Sequence, residues 1–142
     1  MSEDELESIR ERKREQMLGD DETDAGDGES ADAPDEPIHV ESVEQFSDVT
    51  TDYGVVLVDF YADWCGPCNM LEPIVASVAA ETDAAVAKVD VDQHQGLASQ
   101  YGVRGVPTMV LFADGEQVEQ LVGVQDEGTL TNLVERYGED AQ

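Results

Sequence analysis

The two cysteines of this 142-residue chain stand three positions apart, in the run Trp64-Cys65-Gly66-Pro67-Cys68. Such a pair makes a poor structural staple, because cross-linking so short a loop removes little chain entropy from the unfolded state. It also makes half a zinc site. Tetrahedral zinc takes four ligands, and His39 and His94 have no cysteine or clustered acid at ligand spacing. The chemistry that remains is redox: a Cys-x-x-Cys pair that cycles between dithiol and disulfide. If Cys65 opens a helix, it meets unpaired backbone N–H groups and the positive end of the helix dipole. Both favour the thiolate, which is the nucleophile. Cys68 shares the face of that first turn and can close a disulfide without unwinding it. Exchange then takes two steps, attack by Cys65 on a disulfide and release of the product by Cys68.

Positioning such a pair requires a strand before it and a helix after it, and the pattern supplies both. Residues 55–61 are almost continuously apolar, as expected of a central strand covered on both faces. A helical pattern follows over 67–81. Pro67 falls in its first turn, where a missing N–H costs nothing, and Pro73 falls inside it, where a kink is expected. Short strands are predicted over 38–40 and 85–91, and helices over 43–49 and 95–101. Strands over 108–112 and 117–122 are joined across Asp114-Gly115, a two-residue hairpin signal. A closing helix over 127–137 places Leu130, Leu133, Val134 and Tyr137 on one face. This order predicts an α/β fold, a central mixed sheet with helices on both faces.

The formal net charge is -27, from 34 acidic and 7 basic residues. Lys13 and Lys88 are the two lysines. Phosphate contacts need a basic surface, so a nucleic-acid partner is not expected. No apolar run approaches the roughly 20 residues of a membrane span. The acidic start has no apolar export core, and a reactive dithiol suits a reducing compartment, so a cytoplasmic location is expected. Residues 19–37 hold no large apolar residue and read as an acidic disordered linker. Before it, in segment 1–18, Leu6, Ile9 and Met17 give a thin stripe consistent with a short, marginal helix. Residues 38–142, the expected folded domain, still carry a net charge of -16. Self-repulsion of that size disfavours a compact state in dilute buffer and is screened in molar salt. A salt-rich, halophile-like cytoplasm is the expected setting, with an acidic protein of an ordinary cell as the alternative.

Beyond spacing, Val58-Asp59-Phe60-Tyr61-Ala62-Asp63-Trp64-Cys65-Gly66-Pro67-Cys68 resembles the active-site signature of the thioredoxin family. The resemblance extends over about residues 38–138. It takes in Pro73, Val103-Arg104-Gly105-Val106-Pro107-Thr108, Phe112-Ala113-Asp114-Gly115 and Val122-Gly123. It implies a thioredoxin-like three-layer sandwich and a protein-disulfide reductase that works as a monomer with no bound cofactor beyond its own Cys65-Cys68 disulfide. It implies disulfide-containing proteins and a thioredoxin reductase as partners. Residue by residue, Asp59 matches the buried carboxylate that exchanges a proton with Cys68. Burial among Val, Leu and Phe independently raises the pKa of such an acid. Pro107 matches a cis-proline facing the dithiol, and Val106 the residue whose backbone pairs with substrate. Trp64, Gly66 and Pro67 border the dithiol, and Gly123 lets a partner backbone approach. Lys88 matches a lysine that tunes the buried acid, with a solvent-reaching strand lysine as the alternative.

Two positions depart from the family pattern. Asn69 stands where a basic residue is common, and Asp63 puts an acid two residues before Cys65. Both disfavour the thiolate and make the partner-facing surface more acidic. A more oxidising disulfide isomerase is the first alternative function, and the Gly66-Pro67 dipeptide argues for the reductant. A non-enzymatic, redox-gated binding module on the same scaffold is the second, and the intact Cys65 and Cys68 argue against it.

Overall fold

The computed structural model describes residues 33–140, and the short helix expected before residue 19 lies outside them. Among the described residues nine elements follow in chain order. They are β1 (Ile38–His39), α1 (Val43–Asp52), β2 (Val55–Tyr61), α2 (Gly66–Glu81), β3 (Ala85–Asp90), α3 (Gln95–Gln100), β4 (Thr108–Ala113), β5 (Glu116–Val122) and α4 (Glu127–Asp140). The five strands form one sheet in the order β1-β3-β2-β4-β5. β3 runs parallel to both β1 and β2, while β4 is antiparallel to β2 and β5 to β4. The mixed sheet expected from the sequence is therefore present.

Side-chain alternation along β2 divides the interior into two cores. Val56, Val58 and Phe60 join Phe46 and Val49 of α1, Leu97 and Ala98 of α3, Ala85, Ala87 and Val89 of β3, and Val110 and Phe112 of β4. Phe46, Tyr101 and Phe112 pack as a ring cluster with centroids 5.6–5.9 Å apart. On the opposite face, Val55 and Leu57 join Leu71, Val75 and Val78 of α2, Leu130 and Val134 of α4, Val86, Met109 and Leu111. Helices thus cover both faces of the sheet, which is why β2 reads as an unbroken apolar run. Full burial of each such aliphatic side chain contributes about 1.5–3 kcal/mol relative to exposure.

Element ends depart from the sequence reading by one to three residues, each with a local cause. β1 is two residues long, although Val40 N–H still donates to the Lys88 carbonyl at 2.9 Å. α1 is capped by Ser42, whose Oγ accepts from Gln45 N–H at 3.0 Å. It runs on to Asp52 while Thr50 and Thr51 bond back to carbonyls of the preceding turn. α2 runs unbroken through Pro73, which removes one interior N–H donor. Asp114 and Gly115, with φ of 53° and 83°, form the tight turn between β4 and β5. Two successive positive φ angles are what a two-residue hairpin turn requires.

Candidate active site

The central strand β2 ends at Tyr61, and Ala62, Asp63 and Trp64 carry the chain to Cys65, the N-cap of α2. Cys65 Sγ accepts a hydrogen bond from Cys68 N–H at 3.1 Å. This is the cap position at which helix N–H groups lack intrahelical partners, and sulfur occupies it here. Pro67 lies in the first turn, as its missing N–H allows. Cys65 and Cys68 are joined as a disulfide with Cα atoms 5.2 Å apart. Both are buried, while Trp64 before them and Gly66 and Pro67 between them are exposed.

A second segment meets the disulfide from β4. The Val106-Pro107 peptide bond is cis. The Val106 carbonyl oxygen lies 3.7 Å from Cys65 Sγ. Gly123, at the end of β5, has φ of 91° and donates its N–H to the Pro107 carbonyl at 2.8 Å. That backbone bond draws Gly123 to the proline segment in a conformation that L side chains rarely adopt. Trp64 is 72 % exposed, and Met70 and Val122 are exposed as well. The Trp64 indole N–H donates to Asp92 Oδ2 at 2.9 Å, which fixes a ring that would otherwise be free in solvent.

A charged cluster lies on the sheet face that α2 covers. Asp59 is fully buried, and neither carboxyl oxygen has a hydrogen-bond partner. Burial pushes its pKa up to about 6. The Lys88 ammonium opposes that shift and Glu72 adds to it. Lys88 pairs with Asp59 across the parallel β2–β3 register. It is buried, so the solvent-reaching alternative does not hold. Its ammonium instead reaches Glu72 Oε2 at 3.0 Å and lies 4.4 Å from the centre of the Tyr61 ring. Burial and the surrounding carboxylates, Asp90 foremost, raise the Tyr61 hydroxyl. Cys68 leads the inward face of α2, which Leu71, Val75 and Val78 continue, and Asp59 lies on the strand face that α2 covers.

The sequence reading brought together Cys65, Cys68, Asp59, Trp64, Val106, Pro107 and Gly123, and it missed three neighbours. Glu72 had a legible signal, since it follows Cys68 by four residues and so shares its helix face. Met70 and Asp92 had none, because exposure beside the disulfide and the bond to Trp64 come from the tertiary fold. Asp63 and Asn69 are exposed beside the pair. Among the described residues, no group of three or more His, Cys, Asp or Glu side chains could hold a metal ion.

A cysteine pair at the N-terminus of the helix after a central strand, with a cis-proline segment against it, defines an α/β dithiol–disulfide oxidoreductase. The thioredoxin family model matches residues 37–136. A thioredoxin from Chlamydia caviae is 42 % identical over 101 residues, spanning 70 % of this chain and 98 % of that protein. A solved structure of a mutant thioredoxin from Halobacterium salinarum is 64 % identical with a TM-score of 0.73, covering 76 % of this chain and 96 % of that one. A Malassezia sympodialis thioredoxin structure is 30 % identical with a TM-score of 0.65, covering 77 % of this chain and 96 % of that one. The chain belongs to the thioredoxin family. It is a thiol–disulfide oxidoreductase that reduces protein disulfides through the Cys65/Cys68 pair.

Proposed function

We propose that Cys65 is the attacking thiol, Cys68 the resolving thiol and Asp59 the acceptor of the Cys68 proton. The Cys65 thiolate attacks one sulfur of a substrate disulfide, forming a mixed disulfide and expelling the other sulfur as a thiolate that takes up a proton. Cys68 then gives its proton to Asp59 and attacks Cys65 Sγ. This closes the intramolecular disulfide and releases the second substrate thiol. Two electrons pass from the protein dithiol to the substrate. The observation that carries this reading is the capping of α2 by Cys65 Sγ, with Asp59 buried and unpartnered on the strand face that α2 covers. A helix N-terminus lowers a thiol pKa, and a carboxyl raised to about 6 is matched to proton transfer near neutrality.

Substrate binds over Trp64, Gly66 and Pro67, with the Val106 and Gly123 backbones alongside the extended substrate chain and Pro107 shaping that edge. Main-chain pairing of this kind tolerates many sequences, as a general reductase requires. Lys88 tunes Asp59. The physiological cycle uses disulfide-containing proteins and a thioredoxin reductase drawing on a nicotinamide, flavin or ferredoxin source. Residues 38–142 form the thioredoxin domain and the acidic residues before them an N-terminal extension. The setting is a salt-rich cytoplasm, supported by the charge of the domain and by the 64 % identity to the Halobacterium salinarum structure. The test is insulin disulfide reduction with dithiothreitol as electron source. Wild type should turn over and Cys65→Ser should fall to the rate of dithiothreitol alone, whereas equal rates for the two would leave only a binding scaffold.

A further inference from the structure

Asp59 and Lys88 occupy one register position of adjacent strands and share the face that α2 covers. A buried carboxylate beside an ammonium would ordinarily capture it. Here both Asp59 oxygens lack a partner, and the Lys88 ammonium lies 3.0 Å from Glu72 Oε2. The side chain of Lys88 is 5 % exposed and that of Glu72 is 56 % exposed. This difference explains the outcome. Pairing Lys88 with Asp59 would hold both charges in the dry interior, where desolvation is expensive. Pairing with Glu72 puts one partner in water. The lysine side chain stays buried while its ammonium meets the exposed Glu72 carboxylate, and the Tyr61 ring face holds the ammonium from the side.

We propose that Glu72 is a positioning residue for the resolving step: it holds the Lys88 ammonium away from Asp59 and so keeps Asp59 in an environment that favours its protonated form. The inference rests on the reading of Asp59 as the acceptor of the Cys68 proton. The charged and titratable groups that act on Asp59 are Lys88 from β3, Glu72 from α2 and Tyr61 from its own strand, and the uncharged Met109 lies opposite it on β4. Of these, Lys88 stabilises the carboxylate and Glu72 opposes it. Glu72 acts twice, through its own negative charge and by engaging the cation. It follows Cys68 by four residues, one turn along α2, so the same helix carries the resolving cysteine and the residue that engages Lys88.

The test uses the oxidised full-length protein, in which neither cysteine titrates, with 13C-labelled aspartate. The Asp59 carboxyl signal is identified by its loss in Asp59→Asn. Glu72→Gln keeps an oxygen that can accept from Lys88 but removes the charge that holds it. The Asp59 midpoint should fall by about one pH unit, the size expected when a nearby cation is freed and a nearby anion removed. Lys88→Met should raise the midpoint, and Glu72→Gln placed on Lys88→Met should lower it by clearly less than on wild type. An unmoved midpoint in Glu72→Gln, or an equal drop with and without Lys88, would overturn the proposal. The pH dependence of mixed-disulfide resolution, followed by stopped flow, separates this from the reading beneath it. Its acid limb should move down with the midpoint. A shifted midpoint with an unshifted rate profile would remove Asp59 from proton transfer while leaving the hold of Glu72 on it intact.

Discussion

Replacing Asp59 by asparagine should stabilise the fold in a way that depends on pH. The carboxyl titrates at about 6 in the folded protein against an ordinary value of 3.8. Because the folded pKa is the higher one, the native state binds the proton more tightly than the unfolded chain. The stability this confers is fully present below pH 3.8 and is lost as pH rises through 6. A shift of about two units at 1.36 kcal/mol each puts the loss at about 3 kcal/mol, complete above pH 7. Asparagine does not titrate, so the variant avoids the loss. Its buried amide adds a cost of its own, but that cost does not vary with pH and cancels when two pH values are compared. The other carboxylates are common to both proteins and cancel as well. The assay is urea unfolding of the oxidised wild type and Asp59→Asn at constant KCl from pH 4 to 8. The stability difference should move in favour of the variant by about 2.5 kcal/mol between the two ends, the remainder of the loss lying below pH 4, with most of the change between pH 4 and 7. A difference that stays constant across that range would refute the raised carboxyl and the desolvation argument behind it.

Three further outcomes follow from the same structure. The melting temperature should climb steeply from low salt to about 0.1–1 M KCl as the Debye length falls from beyond 10 Å to about 3 Å; scanning calorimetry from 10 mM to 3 M KCl checks it, and a flat or falling curve would sink the salt-rich setting. Deleting residues 1–32, which keeps Ala33 against the α1-side core, should preserve cooperative unfolding and insulin reduction, as circular dichroism and turnover would read. Trp64→Ala should raise KM for insulin by about 5- to 30-fold, the loss of about 1–2 kcal/mol of apolar contact at a partner surface, while leaving the rate at saturating substrate within about threefold; an unchanged KM would assign the exposed indole no part in binding.

Much of this architecture was legible because local pattern and tertiary role coincide. The run from Val55 to Tyr61 is apolar on both alternating faces, and both faces are in fact covered. Asp114-Gly115 encodes a turn that its two positive φ angles satisfy. Pro67 marks the helix start, and Pro73 does not stop the helix. What sequence could not give were pairings set by the sheet. Lys88 lies opposite Asp59 only through the β2–β3 register, and its choice of Glu72 depends on how far each carboxylate is from water. The Trp64–Asp92 bond joins positions 28 residues apart and likewise had no local signal. The end of β1 was misjudged for a simpler reason. Val40 still bonds to β3 but ends the ladder, and an apolar residue at that point looks the same inside or just beyond a strand.

The division of labour between the two sulfurs can be read directly by trapping. Reduced Cys68→Ser and Cys65→Ser proteins are each mixed with an insulin-derived disulfide peptide, quenched with acid and weighed intact by mass spectrometry. Cys68→Ser, which retains the helix-capping thiol and lacks the one that resolves, should accumulate a stable adduct of one peptide through Cys65. Cys65→Ser should show none. An adduct on Cys68 in the Cys65→Ser protein, with none on its counterpart, would contradict the assignment of Cys65 as the attacking thiol.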